Sequence, residues 1–99
     1  MSPEPAAGGM LLLAGQPNPF GGVTEISYAL PSPADVDLRI FTLEGRQVRT
    51  LADGAGDSGH HRILWDGRDD DGREVAAGVY VCRLRAGGLQ RSIRLVNVR

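Results

Sequence analysis

The sequence predicts an all-β domain, an antiparallel β-sandwich of about seven strands. Three observations lead there. Apolar and polar residues alternate with period two in short stretches, and turn signals separate them at the roughly eight-to-twelve-residue spacing of sandwiches. The 14 glycines are spread along the chain, whereas all six prolines lie at or before Pro33. No stretch keeps a helical period, and no strand–helix–strand unit is present, which excludes a parallel nucleotide-binding sheet.

Taken in order, Met1 to Gly9 (MSPEPAAGG) has nothing to build a core with and reads as a disordered tail or an appended leader. It lacks the basic start and long apolar stretch of a signal peptide. Residues 10–99 read as a single domain. Met10 to Ala14 is a first short strand. Gln16 to Gly22 breaks regular structure, because Pro17 and Pro19 fix φ and remove two amide donors; the segment is a turn or a sheet-edge crossover. In Thr24 to Leu30, Ile26, Tyr28 and Leu30 share one face, and Pro31-Ser32-Pro33 ends the strand. Val36 to Phe41 alternates again, with Val36, Leu38 and Ile40 on one side. Leu43 to Arg46 turns the chain at Gly45, and Gln47 to Leu51 returns with Val48 inward. Asp53 to Gly59 (DGAGDSG) reads as a loop. His60 to Trp65 puts His61, Ile63 and Trp65 on one face and His60, Arg62 and Leu64 on the other. Asp66 to Gly72 is an acidic turn, and Arg73 to Val75 a short edge segment. Gly78 gives the freedom to turn into Val79–Arg85, where Tyr80, Cys82 and Leu84 share a face. Gly87-Gly88 suits a tight hairpin. Leu89 to Val98 closes the chain.

The 99 residues make one domain, which buries roughly 60–65% of its unfolded surface. Eleven basic against 12 acidic residues leave a net charge of −1, so no global field draws in nucleic acid. All the basic residues are arginine, which reflects genome composition more than function. The longest apolar run, Met10 to Ala14, is too short to cross a bilayer, so no membrane insertion is expected. The single cysteine, Cys82, excludes an intrachain disulfide and a multi-cysteine metal site. Mid-strand among apolar residues, it reads as a buried, inert thiol.

Chemistry-bearing constellations are few. Asp66, Asp69, Asp70 and Asp71 crowd six residues beside Gly67 and Gly72. Calcium favours such oxygen-rich loops, and Asp66, Asp69 and Asp71 are the candidate ligands. The EF-hand pattern fails, because with Gly72 at its sixth position Gly67 occupies the first ligand position. The competing reading is an Asx-rich turn whose carboxylates accept nearby amides, and no metal site is expected. His60 and His61 are neighbours on a strand, so they face opposite ways and cannot together chelate an ion. Asp57 and Ser58 beside them lack a nucleophile elbow. DGAGDSG lacks the Lys-Ser/Thr ending of a phosphate loop. No catalytic residue and no cofactor are expected.

Longer stretches carry a family pattern. They are Pro17-Asn18-Pro19-Phe20, Thr24 to Pro31, Leu38 to Val48, Gly59 to Asp69, Ala77 to Leu84 and Ser92 to Val96. Together they resemble the immunoglobulin-like domain of the flagellar hook-capping protein FlgD and the related type IX secretion C-terminal sorting domain. The resemblance covers residues 11 to 99 in order. It implies an immunoglobulin-like sandwich in which Trp65 anchors the core and its indole N–H needs a partner. Tyr28, Leu38, Ile40, Ile63, Tyr80 and Leu84 would meet between the sheets. Sorting domains carry an N-terminal passenger across the outer membrane through secretion machinery. Their last strand favours lysine, where this chain has Arg91, Arg94 and Arg99; Trp65-Asp66-Gly67 and Asp71-Gly72-Arg73 look more like the FlgD branch. Neither branch is catalytic. The resemblance thus implies a non-enzymatic C-terminal module of a secreted or cell-surface protein, acting in sorting or attachment. The alternative is a structural subunit of an extracellular filament, assembling with like subunits by strand-edge pairing. The last strand is apolar on both faces near its end, which suits a strand covered on two sides: the domain's own core on one, and on the other either a partner or terminal residues that merely pack over the sandwich end.

Overall fold

The computed structural model describes residues 12–99. The tail expected over residues 1–9, and Met10 and Leu11 of the first expected strand, lie outside them. Seven strands follow: β1 (Leu12–Gln16), β2 (Thr24–Leu30), β3 (Ala34–Thr42), β4 (Gln47–Gly56), β5 (Gly59–Trp65), β6 (Gly78–Ala86) and β7 (Leu89–Asn97). They form two antiparallel sheets, one ordered β1-β2-β5 and the other β4-β3-β6-β7.

The alternation seen in the sequence decides which side chains face the gap. Ile26, Leu38, Ile40, Trp65, Cys82, Leu84 and Leu95 are fully buried, while Leu64, one residue out of phase with Trp65, is 62% exposed. Tyr28, Val48 and Tyr80 join the core, and Ile63 packs against it. Cross-strand register builds the layers: Leu38 opposes Leu84, Ile40 opposes Cys82 and Tyr80 opposes Leu95. Burying a large aliphatic or aromatic side chain in this way contributes roughly 1.5–3 kcal/mol.

The turns follow the expected chemistry. Gly45 takes φ 93° between β3 and β4, and Gly87 and Gly88 take 58° and 80°, the two positive values of a type I′ hairpin. A different constraint acts at Gly15, where a Cβ would lie 2.6 Å from Leu95 Cδ2. A side chain at this position would force the Leu95 side chain to shift.

Three expectations about the elements are corrected. β1 runs on past Ala14 to Gln16, because Gly15 and Gln16 pair with Ile26 and Glu25. Asp53 to Gly56 is strand rather than loop. β3 begins at Ala34, two residues earlier than the alternation suggests, and its pairs Ala34–Gly56 and Asp35–Ala55 hold the glycine-rich stretch extended. Ladder hydrogen bonds outweigh low strand propensity here. Arg73–Val75 is not a strand; only a single bridge, Arg68 to Glu74, forms there. It pairs within its own loop and joins neither sheet.

The strand phase has a direct test. Trp65→Ala is expected to lower stability by about 3–5 kcal/mol, read from the urea midpoint. Leu64→Ala, next to it, should change stability by no more than about 0.5 kcal/mol.

Candidate interaction surface

The four aspartates singled out in the sequence lie at one end of the sandwich, in the loop from Asp66 to Val75. Asp66 Oδ1 accepts the Arg68 amide and an Arg49 Nη1–H, both at 3.1 Å. Asp69 Oδ1 accepts the amides of Asp71 (2.9 Å) and Arg73 (3.0 Å). Asp71 is exposed. The Asx-turn chemistry therefore accounts for Asp66 and Asp69. Among the described residues, no three His, Cys, Asp or Glu side chains converge as metal ligands.

Asp70, which the sequence reading gave no role, turns the opposite way. Its amide donates to the Val48 carbonyl at 2.9 Å, and its Oδ1 accepts the Thr50 amide at 3.0 Å. The loop thereby covers the outer edge of β4 at Val48–Thr50. The same loop caps the core, because Trp65 Nε1–H donates to the Arg68 carbonyl at 3.0 Å. Gly67, at φ 73°, passes so near Gly22 that a Cβ would lie 2.8 Å from its carbonyl oxygen. The Asp-Gly spacing after Trp65 is thus set by backbone crowding.

The Pro17–Phe20 segment does for β7 what Asp70 does for β4. Asn18 Nδ2 donates to the Arg94 carbonyl at 2.7 Å, and Asn18 Oδ1 accepts the Val96 amide at 2.9 Å. Phe20 adds two backbone bonds, its amide to Val96 (2.8 Å) and its carbonyl from Val98 (2.9 Å). Two prolines cannot donate to a ladder, so the side-chain amide between them supplies the donor and acceptor. An Asn flanked by prolines was the available signal for this role. The turn-or-crossover expectation resolves as an edge crossover. One face of β7 packs on the domain's own core through Leu95; on the other, Val96 is half-buried, Ser92 and Arg94 are exposed and Val98 is 64% exposed.

His60 and His61 do face opposite ways. His61 stacks on its cross-strand partner Tyr28, ring centroids 5.0 Å apart, and its Nε2–H donates to the Asp57 carbonyl at 2.7 Å. Asp57 thus offers a main-chain oxygen rather than its carboxylate, and Ser58 is exposed. On the outer face of β3 and β6, Arg83 Cζ lies over Phe41, 4.5 Å from the ring centroid, with Asp37 3.9 Å from the guanidinium. Arg39 Nε is 2.8 Å from Asp37 Oδ1, close enough for an ion pair but without hydrogen-bond alignment.

Burial pushes the Cys82 thiol up to about 12, and raises the Tyr28 and Tyr80 phenols as well. Each group holds its proton more tightly folded than unfolded. The stability so gained is complete below the ordinary values, 9.0 for the thiol and 10.0 for the phenols, and is lost as pH rises through the folded ones. Unfolding free energy should fall by about 1 kcal/mol between pH ~8 and pH ~10 on account of Cys82. Urea titrations at stepped pH check this, and Cys82→Val should remove that decline. In the acidic loop, Asp69→Ala should cost about 1 kcal/mol by freeing two amides. Adding ~5 mM calcium should leave the melting temperature of the parent chain unchanged, since an ion that binds only the folded state would raise it.

Comparison with known proteins places these features. Residues 16–88 match the family model described as the FlgD Ig-like domain. The chain is 39% identical over 88 residues to the basal-body rod modification protein FlgD of Salmonella typhimurium, and equally to that of Salmonella typhi. The match takes in 83% of this chain but 38% of those relatives. Among solved structures, dimeric latent PorU from Porphyromonas gingivalis superposes with a TM-score of 0.68 at 20% identity, over 90% of this chain and 9% of PorU. PorZ, an essential bacterial surface component of the type-IX secretion system of the same organism, gives 0.59 at 23% identity, over 88% of this chain and 11% of PorZ. At such identities the two structures share the fold. The match to the family model over residues 16–88 shows that this chain belongs to the FlgD Ig-like domain family.

Proposed function

We propose that this chain is a non-catalytic module of a larger secreted or cell-surface bacterial protein, and that it sorts or attaches the passenger it is joined to. One observation carries the reading: the same sandwich recurs as a minor part of much longer chains, 9% of PorU and 11% of PorZ. PorZ is itself a surface component of a type-IX secretion system. The polar chemistry of the chain supports it. Asp70 and Asn18 fasten their segments to the β4 and β7 edges, Asp66 ties its loop to Arg49, and Asp69 holds amides of that same loop. Cys82 is buried, and a thiol with a pKa of about 12 is a poor nucleophile at neutral pH. What stays exposed is a mixed surface with arginines on the last two strands, a surface suited to recognition.

The test is a fusion. The chain placed behind a periplasmically exported reporter should bring that reporter to the surface of Porphyromonas gingivalis, scored by protease accessibility on intact cells. Deleting Ser92 to Arg99 should abolish this, and so should Arg91→Glu with Arg94→Glu, which leaves the strand in place. A reporter that stays periplasmic behind the intact domain overturns the sorting role.

A further inference from the structure

Both outer edges of the four-stranded sheet are covered along only half their length. On β7, the C-terminal part is bonded by Asn18 and Phe20, while in Leu89–Ile93 no other segment among the described residues meets the outward backbone, and only the strand's own Arg91 donates to the Gln90 carbonyl, at 3.3 Å. Val96 presents both its N–H and its C=O outward, to Asn18 and Phe20. The period of two then turns Gln90 and Ser92 outward as well. On β4, Val48–Thr50 is covered by Asp70, while Leu51–Gly56 has no outward partner among the described residues.

The register brings the two bare halves to the same end of the sheet. Ala34 and Val36 lie opposite Gly56 and Gly54 on β4, Val36 also lies opposite Ala86 on β6, and Ala86 lies opposite Leu89 on β7. All neighbours in the order β4-β3-β6-β7 are antiparallel, so β4 and β7 run in opposite directions. A copy moved sideways by one sheet width would set its bare half of β4 antiparallel to the bare half of β7, in the geometry of an ordinary ladder.

Charge favours the same pairing. Every carboxylate side chain lies at or before Glu74, and residues 75–99 carry Arg83, Arg85, Arg91, Arg94 and Arg99 with no acid. Among the described residues, only Arg83 of these five is in an ion pair. The β7 side is therefore cationic. The β4 side carries Asp53, 68% exposed at its side chain and 3.9 Å from Arg39, and the loop from Asp66 to Glu74; these six carboxylates outnumber Arg46 and Arg49 at the start of β4 and Arg68 and Arg73 in the loop. A β7-to-β7 contact would oppose like charges, whereas β7 to β4 matches opposite ones. The bare stretches also lack the edge protections of proline and lysine.

We propose that Leu89–Ile93 pairs with Leu51–Gly56 of a second copy of this chain, extending the four-stranded sheet from domain to domain. The contact is heterologous and so does not close on itself. It is independent of the sorting reading: failure of export would leave it standing, and a chain that stays monomeric would leave export standing.

Sedimentation equilibrium on the full chain tests it. In about 20 mM NaCl the weight-average mass should rise with concentration from 10.6 kDa to more than twice that, and fall back in about 500 mM NaCl, where the Debye length is roughly 4 Å. Ser92→Pro removes an outward N–H without touching the β6 ladder, and Asp53→Arg reverses an exposed charge on β4. Each variant should be monomeric alone, with unchanged Trp65 fluorescence. Mixed, they should form one-to-one pairs, since one keeps an intact β4 edge and the other an intact β7 edge. A full chain monomeric at about 1 mM protein in low salt, or an Asp53→Arg chain that still self-associates through β7, overturns the proposal. So does pairing seen only after residues 1–11 are removed, which would assign the bare edge to that segment.

Discussion

The Trp65 indole is the contact on which the other parts of the domain converge. It is fully buried, with Phe20 and Tyr80 each 5.6 Å away by ring centroid. Phe20 belongs to the segment that covers β7. Tyr80 opens β6, and its hydroxyl donates to the Ala76 carbonyl at 2.6 Å, in the manner of a tyrosine corner. The indole N–H reaches the Arg68 carbonyl and fixes the acidic loop. A buried N–H without a partner would cost about 1–3 kcal/mol, so the loop conformation and the core depend on one another.

Edge management is the second theme. A two-sheet sandwich leaves edge strands whose backbone groups must be met by something other than a neighbouring strand. Here side chains do it: Asn18 on β7 and Asp70 on β4 each stand in for a strand, offering a donor and an acceptor with the local backbone. This explains why the acidic loop resembles a cation site in composition. Its carboxylates meet backbone amides and the guanidinium of Arg49, which asks for the same oxygen-rich side chains as calcium without gathering them around one point.

The functional reading and the edge reading meet on the last two strands. β6 and β7 carry Arg85, Arg91 and Arg94, which make no ion pair among the described residues, and β7 carries the bare edge on the cationic side. A module whose polar residues are committed to holding its own loops has its recognition capacity in what is left over, namely this strand pair and the half-open β4 edge facing the other way.

The sequence alone determined the class of the fold, the phase of its strands and the character of Cys82. Alternation is a local property, and a strand buried on one face must show it; hence Trp65 and Leu64 could be told apart without coordinates. The glycine turns at Gly45 and Gly87-Gly88 were equally local, since positive φ narrows the choice of residue. Three things were decided by tertiary structure. Asp53 to Gly56 became strand because β3 offered a partner, which its own composition could not announce. Asp70 parted from Asp69 and Asp71 because β4 lies beside it, although the three are adjacent in sequence. Asn18 found its two partners 76 and 78 residues away. Each depends on which chain segment comes alongside, and that is set by the packing of whole sheets around Trp65, not by the residues next door.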